Sequence, residues 1–320
     1  MPRPAKLIFN NTALFITTSV EEGFMFPTNP LIESILLSCL ARAQQLHPVE
    51  VSHFVVEATH VHFIARVGNP DDIKGFMERF KTESAHAINR LLGRKKRTIW
   101  CAGYDSPVLL TVDTAIDKIA YTYLNPSNDN LAESIGDYAG FSSWKAFLEG
   151  STKFKAKLIA RTDIQPLKVM DERSYQSAAD SLAKDKPDIE FTISPNAWMK
   201  CFGITAEEDI AKINERIKQR VRDEEKKSQA QRLAAGRTVM GKSYLLNQRI
   251  GAAYTPNRDG KRMYCISSDI ELRKQFISWV KRLIAEAKEV LAQWRLGNII
   301  PYPLGLYPPS FPKLASLIYC

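Results

Sequence analysis

Two histidines stand one residue apart in His60-Val61-His62, and a tyrosine and a carboxamide follow at Tyr121 and Asn125. Successive side chains of a β-strand point to opposite faces of its sheet, so a strand here places both imidazoles on one face. Two neutral imidazoles a few ångströms apart form half of a divalent-metal site. A His-x-His sequence is more often incidental than metal-binding, so the two histidines alone leave this chemistry open.

The segment before Pro126 has apolar residues at the three- and four-residue spacing of a helix. Tyr123 lies on this apolar stripe and is expected in the core, whereas Tyr121 and Asn125 lie off it, four residues apart on the other face. Since proline disfavours the helical conformation of the preceding residue, Asn125 is expected at a frayed helix end. A phenol with a pKa of about 10 is a weak nucleophile at neutral pH and needs activation.

The elements that would position these side chains are indicated by the N-terminal half of the chain. Their order is strand, helix, hairpin, helix, strand, helix, which predicts an α+β fold of ferredoxin-like or RRM-like type, an antiparallel sheet with helices packed on one face. The expected strands are 7–19, 49–57, 60–67 and short candidates at 99–101 and 108–111; the expected helices begin at Pro30, Pro70 and about Asp113.

The character of the sequence changes beyond about residue 150. We therefore predict two domains, 1–150 and 151–320, the second mainly helical and serving DNA binding or assembly. Its helix from Glu207 to Lys227 carries seven acidic and seven basic residues and is expected to be mostly solvated and laced with salt bridges. A later helix, ending near Trp294, has its apolar residues at core spacing.

The net charge of +9 and the pI near 9.2 suggest an anionic partner, nucleic acid before membrane. Two basic clusters are candidate DNA contacts. The first follows a helix end and is as well explained by a solvated terminus, and the second belongs to the C-terminal half. Their members are Arg94, Lys95, Lys96 and Arg97, and then Arg237, Lys242, Arg249, Arg258, Lys261 and Arg262.

The five cysteines are scattered and form no C-x-x-C pair, which argues against a zinc ribbon or a disulfide scaffold and fits a reducing compartment. The start of the chain has no apolar run of a signal peptide, and no stretch approaches the roughly 20 apolar residues of a spanning helix. The expectation is a soluble protein without membrane partners, in the cytoplasm and associated with the nucleoid.

Four sequence features, taken in order, carry a resemblance to a known family. They are His60-Val61-His62, the segment with Trp100 and Tyr104, Tyr121-x-x-x-Asn125-Pro126, and Asp137-Tyr138-x-x-Phe141-Ser142-Ser143-Trp144. This set resembles the HUH-type single-tyrosine transposases, and most of all their REP-associated branch. The resemblance covers roughly residues 7–146 and implies that 1–150 is an HUH endonuclease domain.

The resemblance implies roles for individual residues. His60, His62 and Asn125 would bind Mg²⁺ or Mn²⁺, and Tyr121 would attack a DNA phosphodiester to leave a 5′-phosphotyrosine intermediate and a free 3′-hydroxyl. The implied partner is single-stranded or hairpin DNA, and the implied assembly is a monomer or homodimer. The chain departs from the family in having Thr59 where asparagine is usual, and Ser127-Asn128-Asp129 where a basic residue is usual.

Other functions stay open at this point. The same chemistry would serve a domesticated nuclease that processes palindromes, or a replication-type nickase. A DNA-binding regulator without catalysis is a different class, and so is a structural zinc protein, which the lack of paired cysteines weakens. The joint presence of His60, His62, Tyr121 and Asn125 argues against the regulator, because a protein that only binds DNA has no use for all four.

Overall fold

The described strands form one five-stranded sheet and one two-stranded sheet. The computed structural model describes residues 6–7, 9–21, 24–26, 28–95, 97–250 and 263–310. The strands are β1 (Thr12–Ser19), β2 (Glu50–Val56), β3 (His60–Val67), β4 (Val108–Leu109), β5 (Lys153–Lys157), β6 (Asp188–Thr192) and β7 (Cys265–Ile266).

Eight α-helices complete the described fold, together with short 3-10 helices at Arg161–Asp163 and Ala197–Phe202. The α-helices are α1 (Pro30–Leu46), α2 (Pro70–Leu91), α3 (Val112–Asn128), α4 (Trp144–Glu149), α5 (Glu172–Ala183), α6 (Glu207–Ala234), α7 (Gly241–Leu246) and α8 (Ile270–Arg295). None of the described helices has the length and apolar character needed to span a membrane.

The helix starts follow from local sequence. Asn29 and Asn69 cap α1 and α2 with their side chains, and a proline occupies the first turn of each helix, where its missing N–H costs nothing. Thr111 caps α3, its hydroxyl accepting from the Thr114 N–H at 3.2 Å. These three caps fix where the helices enter the fold.

The central sheet has the strand order β2-β3-β1-β4-β7. The first four strands pair antiparallel, as predicted, and β7 adds to the edge of the sheet parallel to β4. The first strand is shorter than expected, because Leu7 forms only an isolated bridge with Leu306. The strand expected at 99–101 is likewise reduced to one bridge, between Val20 and Trp100.

The helices pack on both faces of the sheet, so the expectation of one covered face is wrong for α3. Helices α1 and α2 pack on the face that carries Val61 and Phe63. Helix α3 packs on the opposite face, against Phe15 and Ile64, which is the face of His60 and His62. The sheet therefore has one purely structural face and one face that carries the candidate chemistry.

Helix α3 does not fray at Asn125 but continues through Pro126 to Asn128, which corrects the expectation for its end. Pro126 has no N–H for the carbonyl of Thr122, and the carboxamide nitrogen of Asn125 donates to that carbonyl at 3.4 Å instead. Asn125 is consequently buried and helical. The tertiary fold here overrides the local preference of a residue before proline.

The C-terminal half packs onto the N-terminal half and is not purely helical. Strands β5 and β6 form a two-stranded antiparallel sheet, and β7 joins the central sheet. Helix α6 lies along α3 and buries a stripe of Ile213, Ile217 and Val221 in the apolar cluster of α3. Most of its other residues are exposed, and several form ion pairs within the helix, as its charge pattern predicted. The division at residue 150 stays a prediction.

Candidate active site

The two histidines of β3 share one face of the sheet, as the strand pattern predicted, and α3 covers that face. The pairing of β1 with β3 places Thr17 opposite His62 and Ser19 opposite His60. The imidazole centroids are 4.5 Å apart, and the rings are nearly perpendicular. The spacing brings two nitrogen ligands within reach of one ion.

His62 is held from two sides. Its Nδ1 lies 2.9 Å from Thr17 Oγ1, and its ring stacks on Phe15 at a centroid distance of 5.1 Å. Its Nε2 is buried and has no hydrogen-bond partner among the described residues. Burial lowers the pKa of His62 well below its usual range, and the nearby His60 and Lys118 add to the effect. The ring is therefore neutral, which is the form that binds metal ions.

His60 is more exposed than His62, with 18% of its side chain accessible. Its Nδ1 is 2.9 Å from Thr59 Oγ1, and its Nε2 is 3.4 Å from Glu57 Oε2. Burial lowers the pKa of His60, while the charge of Asp129 opposes that shift. Glu57 is itself buried, and burial together with the adjacent Asp129 carboxyl raises its pKa well above the usual value. Two carboxyl groups thus lie beside this imidazole.

The two tyrosines of α3 separate by face as predicted. Tyr121 is 40% exposed, and its ring centroid lies 5.7 Å from that of His62. Tyr123 is fully buried, with its hydroxyl 2.7 Å from His53 Nδ1 and 2.9 Å from Ser143 Oγ. Burial raises the pKa of Tyr121, and Asp129 and Glu57 raise it further, so its phenol stays protonated without a cation.

Asn125 follows Tyr121 by four residues, so both side chains lie on the same side of α3. The carboxamide nitrogen is engaged with the Thr122 carbonyl, which fixes the side chain in one orientation. The helix thus carries a phenol and a carboxamide on the face of the sheet that holds the imidazoles.

Three residues near the histidines were missed by the sequence reasoning. The Lys118 ammonium lies 4.4 Å from the Tyr121 ring centroid. Lys118 precedes Tyr121 by three residues, a helical spacing from which this contact could be predicted. Thr17 and Glu57 reach the histidines only through strand pairing and the β2–β3 turn. No sequence spacing shows such a contact, because strand register is set by the folded sheet.

The motif at 137–144 is structural. The Tyr138 hydroxyl donates to the Val56 carbonyl at 2.9 Å, and Ser143 Oγ accepts from the Phe54 N–H at 2.7 Å. The segment thereby covers the outer edge of β2. It supports the strand hairpin that ends in the histidines.

The predicted DNA-contacting residues are only partly described. Lys95 and Arg97 are exposed, and the Arg94 guanidinium lies 5.1 Å from the Phe24 ring centroid. Arg237, Lys242 and Arg249 are exposed as well. Lys96, Arg258, Lys261 and Arg262 lie outside the described residues.

Part of this basic surface adjoins the candidate site. The Met240 N–H donates to the Asn130 carbonyl at 2.8 Å, and Gly241 N–H donates to Leu131 at 3.2 Å. Arg237 and Lys242 therefore flank a segment bound to the turn that follows α3. The other basic positions stay predictions.

One stretch of the N-terminal half matches the model of a known protein family. Residues 21–125 match the family model described as "Transposase IS200 like", a range that includes both histidines and Tyr121 and ends at Asn125. This part of the chain is similar to the IS200-like transposases.

Among solved structures, the chain is similar to one described as "Structure of the REP associates tyrosine transposase bound to a REP hairpin". The sequence identity is 17% and the TM-score 0.40, over 47% of this chain and 86% of that chain. No curated protein matches the chain.

Proposed function

We propose that this protein is a metal-dependent transposase that nicks and rejoins single-stranded or hairpin DNA through a 5′-phosphotyrosine intermediate. One observation supports this most directly: Tyr121, exposed and 5.7 Å from His62 by ring centroids, faces two neutral imidazoles on the same side of the sheet. The ring packs edge-on against Phe15, and the residue nevertheless remains 40% exposed. It is available to a substrate.

The residues that would hold the cation are His60, His62 and Asn125. The buried, unpartnered Nε2 of His62 fits this role, and mixed imidazole and oxygen donors suit Mn²⁺ or Mg²⁺. No group of three histidine, cysteine, aspartate or glutamate side chains suited to a metal was found in the described part of the chain, so the carboxamide is needed as the third ligand. When bound, the cation would neutralise the scissile phosphate.

The chain's own residues would carry the covalent step. The Tyr121 oxygen attacks phosphorus and forms a phosphotyrosine bond while the bond from phosphorus to the 3′-oxygen breaks. The phenol loses one proton and the departing 3′-oxygen gains one, so the products are the adduct and a free 3′-hydroxyl. Lys118 would lie beside the phosphate as a fixed positive charge. The phosphotyrosine bond conserves the free energy of the broken phosphodiester bond, so the strand can be rejoined.

The test is adduct formation on labelled single-stranded hairpin DNA with Mn²⁺. Wild type should give a denaturant-resistant protein–DNA adduct, and Tyr121→Phe should give none, because only the hydroxyl is removed. Tyr302→Phe is the matched control, since that ring packs on Trp294 of the C-terminal helix, and it should form the adduct normally. Equal adduct formation by wild type and Tyr121→Phe would refute the mechanism.

A catalytically silent DNA-binding regulator remains the competing function. It would bind the hairpin and give no adduct in any variant. The same gel separates the two functions, and a parallel binding assay shows whether DNA recognition is present when chemistry is absent.

A further inference from the structure

A buried arginine of the C-terminal half reaches the C-terminal end of α3, the helix that carries Tyr121. Arg232, near the end of α6, is only 4% exposed. Its Nη1 donates to the Ser127 carbonyl at 3.1 Å, and its Nη2 pairs with the Glu133 carboxylate. Burying a guanidinium is costly unless its N–H groups donate hydrogen bonds. Both described partners of Arg232, Ser127 and Glu133, lie in the segment that follows Asn125.

That segment carries groups of the candidate site. Asn125 and Asp129 bracket Ser127, and the Asp129 N–H donates to the Asn125 carbonyl at 2.9 Å. The Asp129 side chain hydrogen-bonds to Glu57, whose carboxylate lies 3.4 Å from His60 Nε2. A shift of the Ser127 backbone would therefore move Asn125, a proposed metal ligand. It would also move the carboxyl group of Asp129, which lies near His60, another proposed ligand.

Further bonds hold this segment to the C-terminal half. Ser127 Oγ lies 3.3 Å from Ser228 Oγ, and the Ile135 N–H donates to Glu225 Oε1 at 2.7 Å. All these partners on α6 lie within two turns of Arg232. Arg232 is positively charged and binds Ser127 at the end of α3 as well as Glu133 after it. It is therefore the contact that links the two ends of this turn.

The rest of the α3–α6 pairing shows that the two helices run parallel along their length. Arg216 pairs with Asp113 at 2.5 Å, and Arg220 pairs with Asp117 at 3.2 Å. These pairs are exposed at both partners, unlike Arg232. They align the helices at the end remote from Ser127 and serve as internal comparisons.

We propose that Arg232 is a positioning residue for the candidate site: it fixes Ser127 and thereby holds Asn125 and Asp129 beside the histidines. The inference rests on the proposed function, since it assigns Arg232 a task in that reaction. It also makes the C-terminal half a part of the site's scaffold, although residues 21–125 alone match the transposase family.

The alternative is that Arg232 only stabilises the fold. Glu133 is about half exposed, with 47% of its side chain accessible, so its carboxylate can turn to water when the arginine is removed. Methionine fills much of the same space without the charge. Arg232→Met is therefore expected to fold, and a melting curve checks this directly.

The experiment measures Mn²⁺ affinity of the DNA-free protein by EPR, together with hairpin affinity and the single-turnover rate of adduct formation. In Arg232→Met, Mn²⁺ affinity and the rate should each fall about tenfold, the effect typical of losing a group that orients a ligand. Hairpin affinity should stay near wild type. Arg232→Lys should recover part of both losses, because it restores one donor to Ser127.

Two further variants make the result specific. Glu133→Gln weakens the same contact at a half-exposed position and should lower Mn²⁺ affinity in the same direction, which serves if Arg232→Met does not fold. Arg216→Met removes an exposed ion pair of the same two helices and should stay within about twofold of wild type. Unchanged Mn²⁺ affinity and rate in Arg232→Met would overturn the positioning role, as would losses matched by Arg216→Met.

Failure of the proposed function gives a different pattern. If wild type forms no adduct, the nuclease mechanism falls, and the Mn²⁺ titration still reports whether Arg232 affects the metal site. If wild type forms the adduct and Arg232→Met forms it equally fast, only the positioning role falls.

Discussion

At the scale of single residues, Thr17 sets the orientation of His62. Its hydroxyl lies 2.9 Å from Nδ1, and a proton on Nδ1 leaves the lone pair of Nε2 free for a metal ion. The hydroxyl is therefore expected to matter for metal binding although it is not a ligand.

Thr17→Val tests this role with almost no change of shape. We expect Mn²⁺ affinity and the rate of adduct formation to fall by about tenfold or somewhat more, as for other groups that orient a ligating histidine. The measurement is a Mn²⁺ titration followed by EPR, with a melting curve for stability.

Thr18→Val is the matched control for that variant. Thr18 is the next residue of β1, is buried on the opposite face of the sheet, and its hydroxyl has no hydrogen-bond partner among the described residues. Its replacement should leave Mn²⁺ affinity unchanged. Equal losses in both variants would mean that β1 is merely sensitive to substitution.

Some residues of the candidate site can be predicted from the sequence, and others cannot. The exposed Tyr121 and the buried Tyr123 were separated correctly, because helical periodicity decides the face of a residue without knowledge of the fold. Thr17, Glu57 and Arg232 could not be found in this way. Their contacts depend on strand register, a turn and helix pairing, which arise only in the tertiary structure.

At the scale of elements, the pairing of α3 with α6 is the feature that local patterns missed. The balanced charges of α6 predict a mostly solvated helix, and most of its residues are exposed. The charges do not reveal that Ile217 and Val221 are fully buried against the cluster that contains α3. The strands and caps of the N-terminal half were predictable because they depend on alternation, Asn-Pro starts and turns. The partner of a helix depends on which surface it covers.

A disulfide can test whether α3 stays on α6 during the reaction. Ser127 and Ser228 face each other with their Oγ atoms 3.3 Å apart, which is close enough for a bridge after Ser127→Cys and Ser228→Cys. We expect the oxidised and reduced forms of the double variant to form the adduct at the same rate, because Tyr121 already lies beside His62 of its own chain while α3 is packed on α6.

Peptide mapping would confirm the bridge, and the single variant Ser228→Cys controls for the oxidant. Activity that disappears on oxidation and returns with reductant would contradict this expectation. It would show that α3 must leave α6, as exchange between subunits would require.

At the scale of the whole molecule, the N-terminal half depends on the rest of the chain to cover its sheet edge and its apolar cluster. Strand β7 completes the edge of the central sheet, and Ile213, Ile217 and Val221 of α6 cover the apolar cluster of α3. A fragment ending at residue 150 would lack both covers. It would expose an apolar patch and an unpaired strand edge.

We therefore expect the 1–150 fragment to aggregate or to melt without a cooperative transition, whereas the full chain melts cooperatively. Size-exclusion chromatography and calorimetry of both proteins measure the difference. A monomeric fragment with a sharp transition and wild-type Mn²⁺ affinity would support an independent domain that ends at residue 150, and would contradict this expectation.

The place of Arg232 in the sequence has a consequence for protein synthesis. His60, His62 and Tyr121 leave the ribosome long before Arg232, and β7 emerges later still. The turn after Asn125 can be fixed only once α6 has been made, and the sheet edge closes only after residue 266. A nascent or prematurely terminated chain thus carries the proposed catalytic residues without the contacts that arrange them, so the proposed nuclease activity would reach its full rate only when translation is nearly finished.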